Sequence, residues 1–351
     1  MLEVFNKDEK KLAILENATN IVEILSINAI STLEFSLPYN DKKNEFCKAF
    51  HYVRYNGGDL YRITPAELEK TETGFYRYTC ENVIATLIDD ILYGYHIVGN
   101  IGVYTEKSIK YILDRQMVKR WELGECEFSR QFEYGWENET LLSALFSIAT
   151  PLADEYKWEF DTSRKPWKIN LRKLSLDSIP AAYIRNGKNE LQLIKRSDPR
   201  EICTRLYPLG YGEGVNQLNI KDVNNGKPYI ESPKHIIDKY GIINRVWTDR
   251  RYEDVNSLKG AAETMLKKLQ EPRYEYEVQF ANIGVEDFDK LVPGDIVQII
   301  DTDTNTKYKN YIIEISKNYN EYTESYITIA NTPQDIAGTV ADMMDRQRIE
   351  M

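Results

Sequence analysis

Apolar residues at the start of the chain come in short alternating runs, at 12–15, 21–27 and 32–37, parted by the polar stretch 17–20 and closed by Pro38-Tyr39-Asn40-Asp41. A period of two marks strands that turn one face to a core. Tyr52-Val53-Arg54-Tyr55 and Tyr61-Arg62-Ile63 flank Asn56-Gly57-Gly58-Asp59, a hairpin signal because Asn and Gly tolerate the positive φ of tight turns. With a further alternating run at 75–80, evenly spaced strands predict a small barrel or sandwich.

The period then lengthens. Val83, Ile84, Leu87, Ile88, Ile91 and Leu92 recur at helical spacing and predict a helix over 81–93, and Ile109, Ile112 and Leu113 predict another over 107–115. A strand at 121–128, a helix at 141–149 followed by Pro151, and strands at 156–161 and 167–171 form a small α+β unit. Trp158 and Trp167 are its expected core anchors.

Asn186-Gly187-Lys188-Asn189 predicts a hairpin turn into a strand at 191–196, and a strand at 202–207 runs into Pro208, Gly210, Gly212 and Gly214. Proline donates no ladder hydrogen bond and glycine permits positive φ, so 205–214 reads as a strand that stops abruptly. Asp254 then caps a helix whose stripe is Val255, Leu258, Ala262, Met265 and Leu269, and Pro272 ends it. Strands resume at 274–280, 291–300, 311–316 and 325–330. The strands before Gly210 and after Pro272 are expected to share one barrel, with the segment between them as an insertion. Last come Thr332 as a cap, Pro333, and Ile336, Val340 and Met343 at spacings of four and three, a short trimeric or dimeric coiled coil or a linker toward a partner.

The expected fold class is therefore α+β and β-rich: two small antiparallel β-barrel domains, an intervening small α+β domain and a helical insertion. The expected domains are 1–95 (first barrel), 96–182 (α+β), 183–222 with 273–331 (second barrel), 223–272 (insertion with a helix) and 332–351 (C-terminal helix or linker).

Composition narrows the function classes. Of 351 residues 42% are hydrophobic and 28% charged, which excludes wholesale disorder, and 25 Tyr against 11 Phe and 5 Trp favour strands and amphipathic contact surfaces. A formal charge of −10 argues against a grip on nucleic acid through phosphate neutralisation. No apolar run approaches about 18 residues. The first nine residues have neither a basic nor an apolar leader region, so no membrane anchor is expected and the chain is expected to be made in the cytosol.

Local chemistry is sparse. Cys47, Cys80, Cys126 and Cys203, and His51, His96 and His235, are scattered and form no C-x-x-C unit, so no metal or redox site and no cofactor is expected. Asp89-Asp90 reads as a solvated or capping pair, and Glu122, Glu125 and Glu127 fall on mixed strand faces. Asp301-Thr302-Asp303-Thr304-Asn305 opens like a calcium loop, but Thr306 and Ile312 stand where that loop needs Gly and Glu. The glycines at 210–214 lack the Lys-Ser/Thr of a phosphate cradle, and Glu213 repels phosphate. No catalytic residue is assigned.

The order of a β unit, a small α+β unit and a β unit split by an insertion at Leu206-Tyr207-Pro208-Leu209-Gly210 resembles the prophage tail-protein family of long-tailed phages, often labelled prophage endopeptidase tail. The matching pieces are 204–210 with Leu218-Asn219-Ile220, the helix and strand over 261–280, and the Pro293-Gly294-Asp295 turn with its strand. The resemblance implies a structural tail-tip or baseplate hub, similar to the central hub of contractile phage tails. Such a hub is a homotrimer of paired β-barrels that closes the tail tube and passes DNA without binding it specifically. The implied partners are the distal tail protein, the tape-measure protein and tip or receptor-binding proteins, and the implied place is the virion tail. Larger members carry a C-terminal extension for lysis or receptor binding, whereas this sequence stops at Met351, so the word endopeptidase transfers no residue here. Two other readings stand beside it: a phage-associated cell-wall endopeptidase or hydrolase using scattered carboxylates or a Cys/His pair, and a carbohydrate-binding virion module using surface Tyr and Trp.

Overall fold

A computed structural model of the chain describes residues 1–69, 74–99, 102–152, 154–185, 190–280, 288, 290–301 and 306–330. The chain begins with β1 (Leu2–Phe5), β2 (Lys11–Ile14), β3 (Thr19–Ser26), β4 (Thr32–Pro38), β5 (Tyr52–Tyr55), β6 (Leu60–Glu69) and β7 (Phe75–Asn82). Then follow β8 (Ile91–Val98), α1 (Thr105–Leu113), β9 (Trp121–Cys126), β10 (Tyr134–Thr140), α2 (Leu141–Ser147), β11 (Tyr156–Asp161) and β12 (Trp167–Lys173). The next stretch contains β13 (Ala182–Arg185), β14 (Glu190–Asp198), β15 (Arg205–Leu209), β16 (Ile230–Glu231), α3 (Lys234–Tyr240), β17 (Asn244–Thr248) and α4 (Val255–Leu269). β18 (Arg273–Phe280), β19 (Ile296–Asp301), β20 (Thr306–Asn318) and β21 (Tyr326–Ala330) complete the described elements.

The fold is α+β and rich in antiparallel strands. One large sheet runs β14-β18-β21-β20-β3-β4-β7-β6-β5-β1-β2, with β19 against β20 and β13 parallel to β19. The alternation read in the sequence sets its inner face: Leu33, Phe35 and Leu37 of β4 are fully buried with Val53, Tyr61 and Cys80 in one cluster. Ile184, Val278, Val297, Ile312, Ile315, Ile327 and Ile329 form a second cluster on the other half of the sheet. The two β units thus share a sheet through the β3–β20 ladder, and no ladder between described strands closes either of them into a barrel.

The middle of the chain has its own core. Trp121, Trp136, Trp158 and Trp167 pack with Leu141, Leu145 and Ile169, so Trp158 and Trp167 anchor it as their spacing predicts. Around them lie the three-stranded sheet β11-β12-β9 and the ribbon β10-β8. Thr140 caps α2 by accepting from the Ser143 N–H at 3.1 Å.

Three expectations change. The helix predicted over 81–93 is a 3-10 turn, Val83–Leu87, capped by Asn82, whose side chain accepts from the Ile84 N–H at 3.0 Å; the chain then enters β8 at Ile91. Val83, Ile84 and Leu87 are satisfied by one turn, while Leu92 and Val98 alternate inward and Gly94 takes a positive φ of 85° inside the strand. The flanks of 186–189 do not pair with each other: β13 joins β19 and β14 joins β18. β15 does not share the sheet of β18 either. It lies between β16 and β17, and its Leu206 is buried with Cys203, Ile220, Tyr252, Leu258, Ala262 and Leu266 against α4. Residues around 202–210 therefore pack with the insertion, and β18 continues from β14. The 186–189 turn itself, the Thr302-Asp303-Thr304-Asn305 part of the calcium-like stretch and the C-terminal 332–351 helix or linker lie outside the described residues. No described helix is long and apolar enough to cross a membrane.

Candidate functional site

The Gly210–Gly214 turn helps build a cleft. Gly210 N–H donates to Leu218 O at 2.8 Å and Tyr211 N–H to Tyr252 O at 2.9 Å, which lays the turn along the 249–252 segment. A Cβ on Gly210 would stand 2.6 Å from Tyr252 O, so only glycine fits that approach. Opposite, Gly135 of β10 donates its N–H to Arg251 O at 2.6 Å, and a Cβ there would stand 2.8 Å from Glu253 Oε1. The backbone thus clamps the β8–β10 ribbon to the insertion and leaves a cleft of about 390 Å³ lined by Tyr95, Glu137, Glu139, Tyr211, Glu213 and Arg251, with Arg250 at its rim.

The two arginines of the cleft each hold a carboxylate. Arg251 holds Asp249 with two hydrogen bonds of 2.7 and 2.6 Å. Burial opposes its charge, but Asp249, with Tyr252 and Glu139, more than offsets burial and raises its pKa. Burial raises the pKa of Glu139, opposed by the Arg251 charge and by the Ser143 hydroxyl, which donates to Glu139 Oε2 at 3.1 Å. Glu213 reaches Arg250 at 3.1 Å. Burial raises Glu253 too, and its Oε1 is buried without a hydrogen-bond partner. No Ser, Thr, Cys or His is among the described residues that line the cleft; its titratable side chains are Tyr, Glu and Arg. Its chemistry is that of a polar seat between two packed units. A second groove, about 550 Å³, runs between Tyr229, Ile230 and Glu231 and the Leu266–Lys267 side of α4. Tyr229 there lies 4.3 Å beneath the Arg205 guanidinium.

Of the scattered cysteines and histidines, Cys47 and Cys80 share one buried cluster, and His51 and His96 have hydrogen-bond partners of their own. All four cysteines are free; Cys47, Cys80 and Cys203 are buried. Burial, then Asp41, pushes the Cys47 thiol up to about 12, and burial drives Cys80 well above its ordinary value, which keeps both protonated. His51 Nδ1 lies 2.8 Å from Phe46 O, and His96 bridges Tyr111 Oη at 2.8 Å and Tyr93 O at 2.9 Å. Among the described residues no group of three or more His, Cys, Asp or Glu is placed to hold a metal ion.

The singled-out carboxylates have structural partners. Asp89 pairs with Arg62, and Asp90 Oδ2 accepts from Met117 N–H at 3.2 Å. Glu122 binds Lys168 at 2.8 Å, while Glu125 and Glu127 both meet Arg172 across the β9–β12 pair.

The feature missed in the sequence is the outward face of β8. Ile91, Tyr93, Tyr95 and Ile97 are all exposed there, while Leu92 and Val98 are buried. Its signal was the run Ile91-Leu92-Tyr93-Gly94-Tyr95-His96-Ile97-Val98, a short apolar run rich in β-branched and aromatic residues that suits a strand as well as a helix.

A family model described as prophage endopeptidase tail matches residues 180–340. Among solved structures, the prophage tail protein gp18 from Listeria monocytogenes EGD-e is similar over 98% of this chain and 98% of its own, with a TM-score of 0.64 and 15% identity. A tail protein from Neisseria meningitidis MC58 is similar over 94% and 96%, with a TM-score of 0.63 and 12% identity. The E. coli c3393 protein, a type VI secretion component described as similar to the T4 tail proteins gp27 and gp5, is similar over 95% of this chain and 77% of its own, at a TM-score of 0.51 and 9% identity. No curated protein matches the sequence. From 180 to 340 the chain carries the sequence pattern of the prophage endopeptidase tail family, and over nearly its whole length it has the fold of prophage tail proteins.

Proposed function

We propose that the protein is a structural subunit of a phage or prophage tail, a homotrimeric hub at the tail tip or baseplate that closes the tail tube and leaves a channel for DNA. The observation that carries this reading is the fold likeness to the Listeria prophage tail protein over 98% of both chains. Fold alone does not fix a role.

In this reading the sheet with its two β units forms the ring, and the 96–182 and 223–272 regions stand outside it. Three chains of formal charge −10 sum to about −30, and carboxylates facing a lumen would repel passing DNA rather than trap it. Partners are other tail proteins: the distal tail protein, the tape-measure protein and tip or receptor-binding proteins. The place of action is the virion tail.

Light scattering on the purified full chain tests the oligomer. Three chains of 41.0 kDa give about 123 kDa. A mass of one chain at high concentration overturns the homotrimer.

A further inference from the structure

The cleft between the β8–β10 ribbon and the insertion carries more carboxylate than its arginines neutralise. Arg250 is held by Glu213 at 3.1 Å and Arg251 by Asp249 at 2.6 Å. That leaves Glu137 and Glu139 in the lining and Glu253 behind Gly135, none of them in an ion pair among the described residues. Arg251 reaches Glu139 only through its field, and no lysine is among the described lining residues.

Beside these carboxylates the wall is aromatic. Tyr95 stands across from Glu137 in the β8–β10 register, and its ring lies 5.7 Å from that of Tyr211, tilted by 42°. Both tyrosines are partly exposed and line the cleft. The face of an aromatic ring is negative, so the rings and the carboxylates attract the same sign of charge. Above Gly135, the three heavy atoms nearest to where a Cβ would stand are all oxygens: Glu253 Oε1 at 2.8 Å, Arg251 O at 3.4 Å and Tyr95 Oη at 3.5 Å. Glu253 Oε1 is buried and has no hydrogen-bond partner among the described residues, so this side of the cleft is short of donors and of positive charge.

Size and sign together select the occupant. A bare metal ion needs several oxygens at about 2.0–2.6 Å from one point, and no group of three or more His, Cys, Asp or Glu among the described residues is so placed. The cleft, about 390 Å³, has the volume of a small-molecule site rather than of a single ion. An anion would meet the surplus of carboxylates, and a neutral sugar or alcohol would leave that surplus unanswered. An ammonium on an alkyl stem answers both walls: its N–H groups donate to carboxylates, and its charge and stem lie against tyrosine rings.

We propose that this cleft binds an alkylammonium group, the chemistry of a lysine side chain or of a free amine, seated by Glu137 and Glu139 with Tyr95 and Tyr211 against its stem. The proposal stands apart from the tail-hub reading and does not rest on it.

Ligand-observed NMR on the full chain tests this, with pentylamine as the probe and pentan-1-ol, which keeps the stem without the charge, as its control. The expected result is saturable binding of pentylamine, at least about 10-fold tighter than that of pentan-1-ol and weakened at least about 10-fold in the double variant Tyr95→Ala, Glu137→Gln. Equal binding of the two probes, no saturation by pentylamine up to about 50 mM, or a folded variant that binds as the wild type does overturns the proposal. Far-UV circular dichroism reports the fold of the variant. Should the double variant not fold, Glu137→Gln alone, at an exposed position, is read in the same way. A further arm with Nα-acetyl-lysine methylamide separates the sources: binding at least as tight as that of pentylamine assigns the site to a lysine of a partner protein, and weaker binding assigns it to a free amine.

Discussion

Asp59 sits in the turn between β5 and β6, near the buried Glu23 that accepts hydrogen bonds from Tyr61 Oη at 2.7 Å and Tyr319 Oη at 2.6 Å. Burial, then repulsion from Glu23, raises the Asp59 pKa from 3.8 to about 6, while Arg54 and Lys317 oppose the rise. The folded chain therefore holds this proton more tightly than the unfolded chain does. Below about pH 4 both states are protonated and the group costs nothing; as pH rises from about 4 to about 6 stability falls, and above that the loss is complete. Asp59→Asn removes the penalty. We expect urea unfolding at pH 7 to show the variant more stable by roughly 1–2 kcal/mol, a shift of one pKa unit being about 1.4 kcal/mol and solvent access reducing the full effect. The gain should vanish near pH 4, and an equal gain at both pH values would assign it to something other than this titration. Nothing in the sequence around Asn56-Gly57-Gly58-Asp59 signals this, because Glu23 and Lys317 arrive from strands far along the chain. The hairpin itself was legible, since its signal is local.

The elements divide along the same line. α4 follows the 254–272 pattern because its signals are adjacent: Asp254 accepts from Ser257 N–H at 2.7 Å, and Leu258, Ala261, Ala262 and Leu266 are buried on one face. Asp254→Ala should remove about 1 kcal/mol of cap energy. Differential scanning should then show the transition that includes α4 lowered by roughly 2–4 °C; no change would mean that tertiary packing alone holds the first turn. β8 was illegible as a strand because Val83, Ile84, Leu87, Ile88, Ile91 and Leu92 satisfy a helical period by chance, and the 3-10 turn ends that period after Leu87. β15 was legible as a strand that stops, but not as to its neighbours. Its Pro208 lies opposite Trp247, and which sheet receives it depends on the core formed by Cys203, Leu206 and Tyr252 with α4, which no local spacing encodes. The candidate cleft was half visible: the glycines at 210–214 announced a turn, whereas Arg251 and Glu139 meet there only through the fold.

At the scale of the whole molecule, the β3–β20 ladder decides whether the two β units behave as one body. Residues 314–318 pair with 22–26 in antiparallel register. The junction is extended by Ile27 N–H donating to Ile313 O at 2.8 Å and by Tyr319 N–H donating to Ile21 O at 2.9 Å. Glu23 adds side-chain hydrogen bonds to both halves, to Tyr61 in β6 and to Tyr319 just after β20. Breaking this ladder would expose backbone groups buried beside two clusters at once, so the halves should open together rather than in turn. Hydrogen exchange on the full chain tests this. Amides in 22–26 and 314–318 should share one protection level, equal to that of the neighbouring core strands β4 and β21. Glu23→Ala, which leaves the Tyr61 and Tyr319 hydroxyls without their carboxylate, should lower that level in both segments together, by roughly 1–3 kcal/mol. Protection lost in one segment alone would show that each unit opens by itself, and a ring built from such chains would then have a hinge inside every subunit.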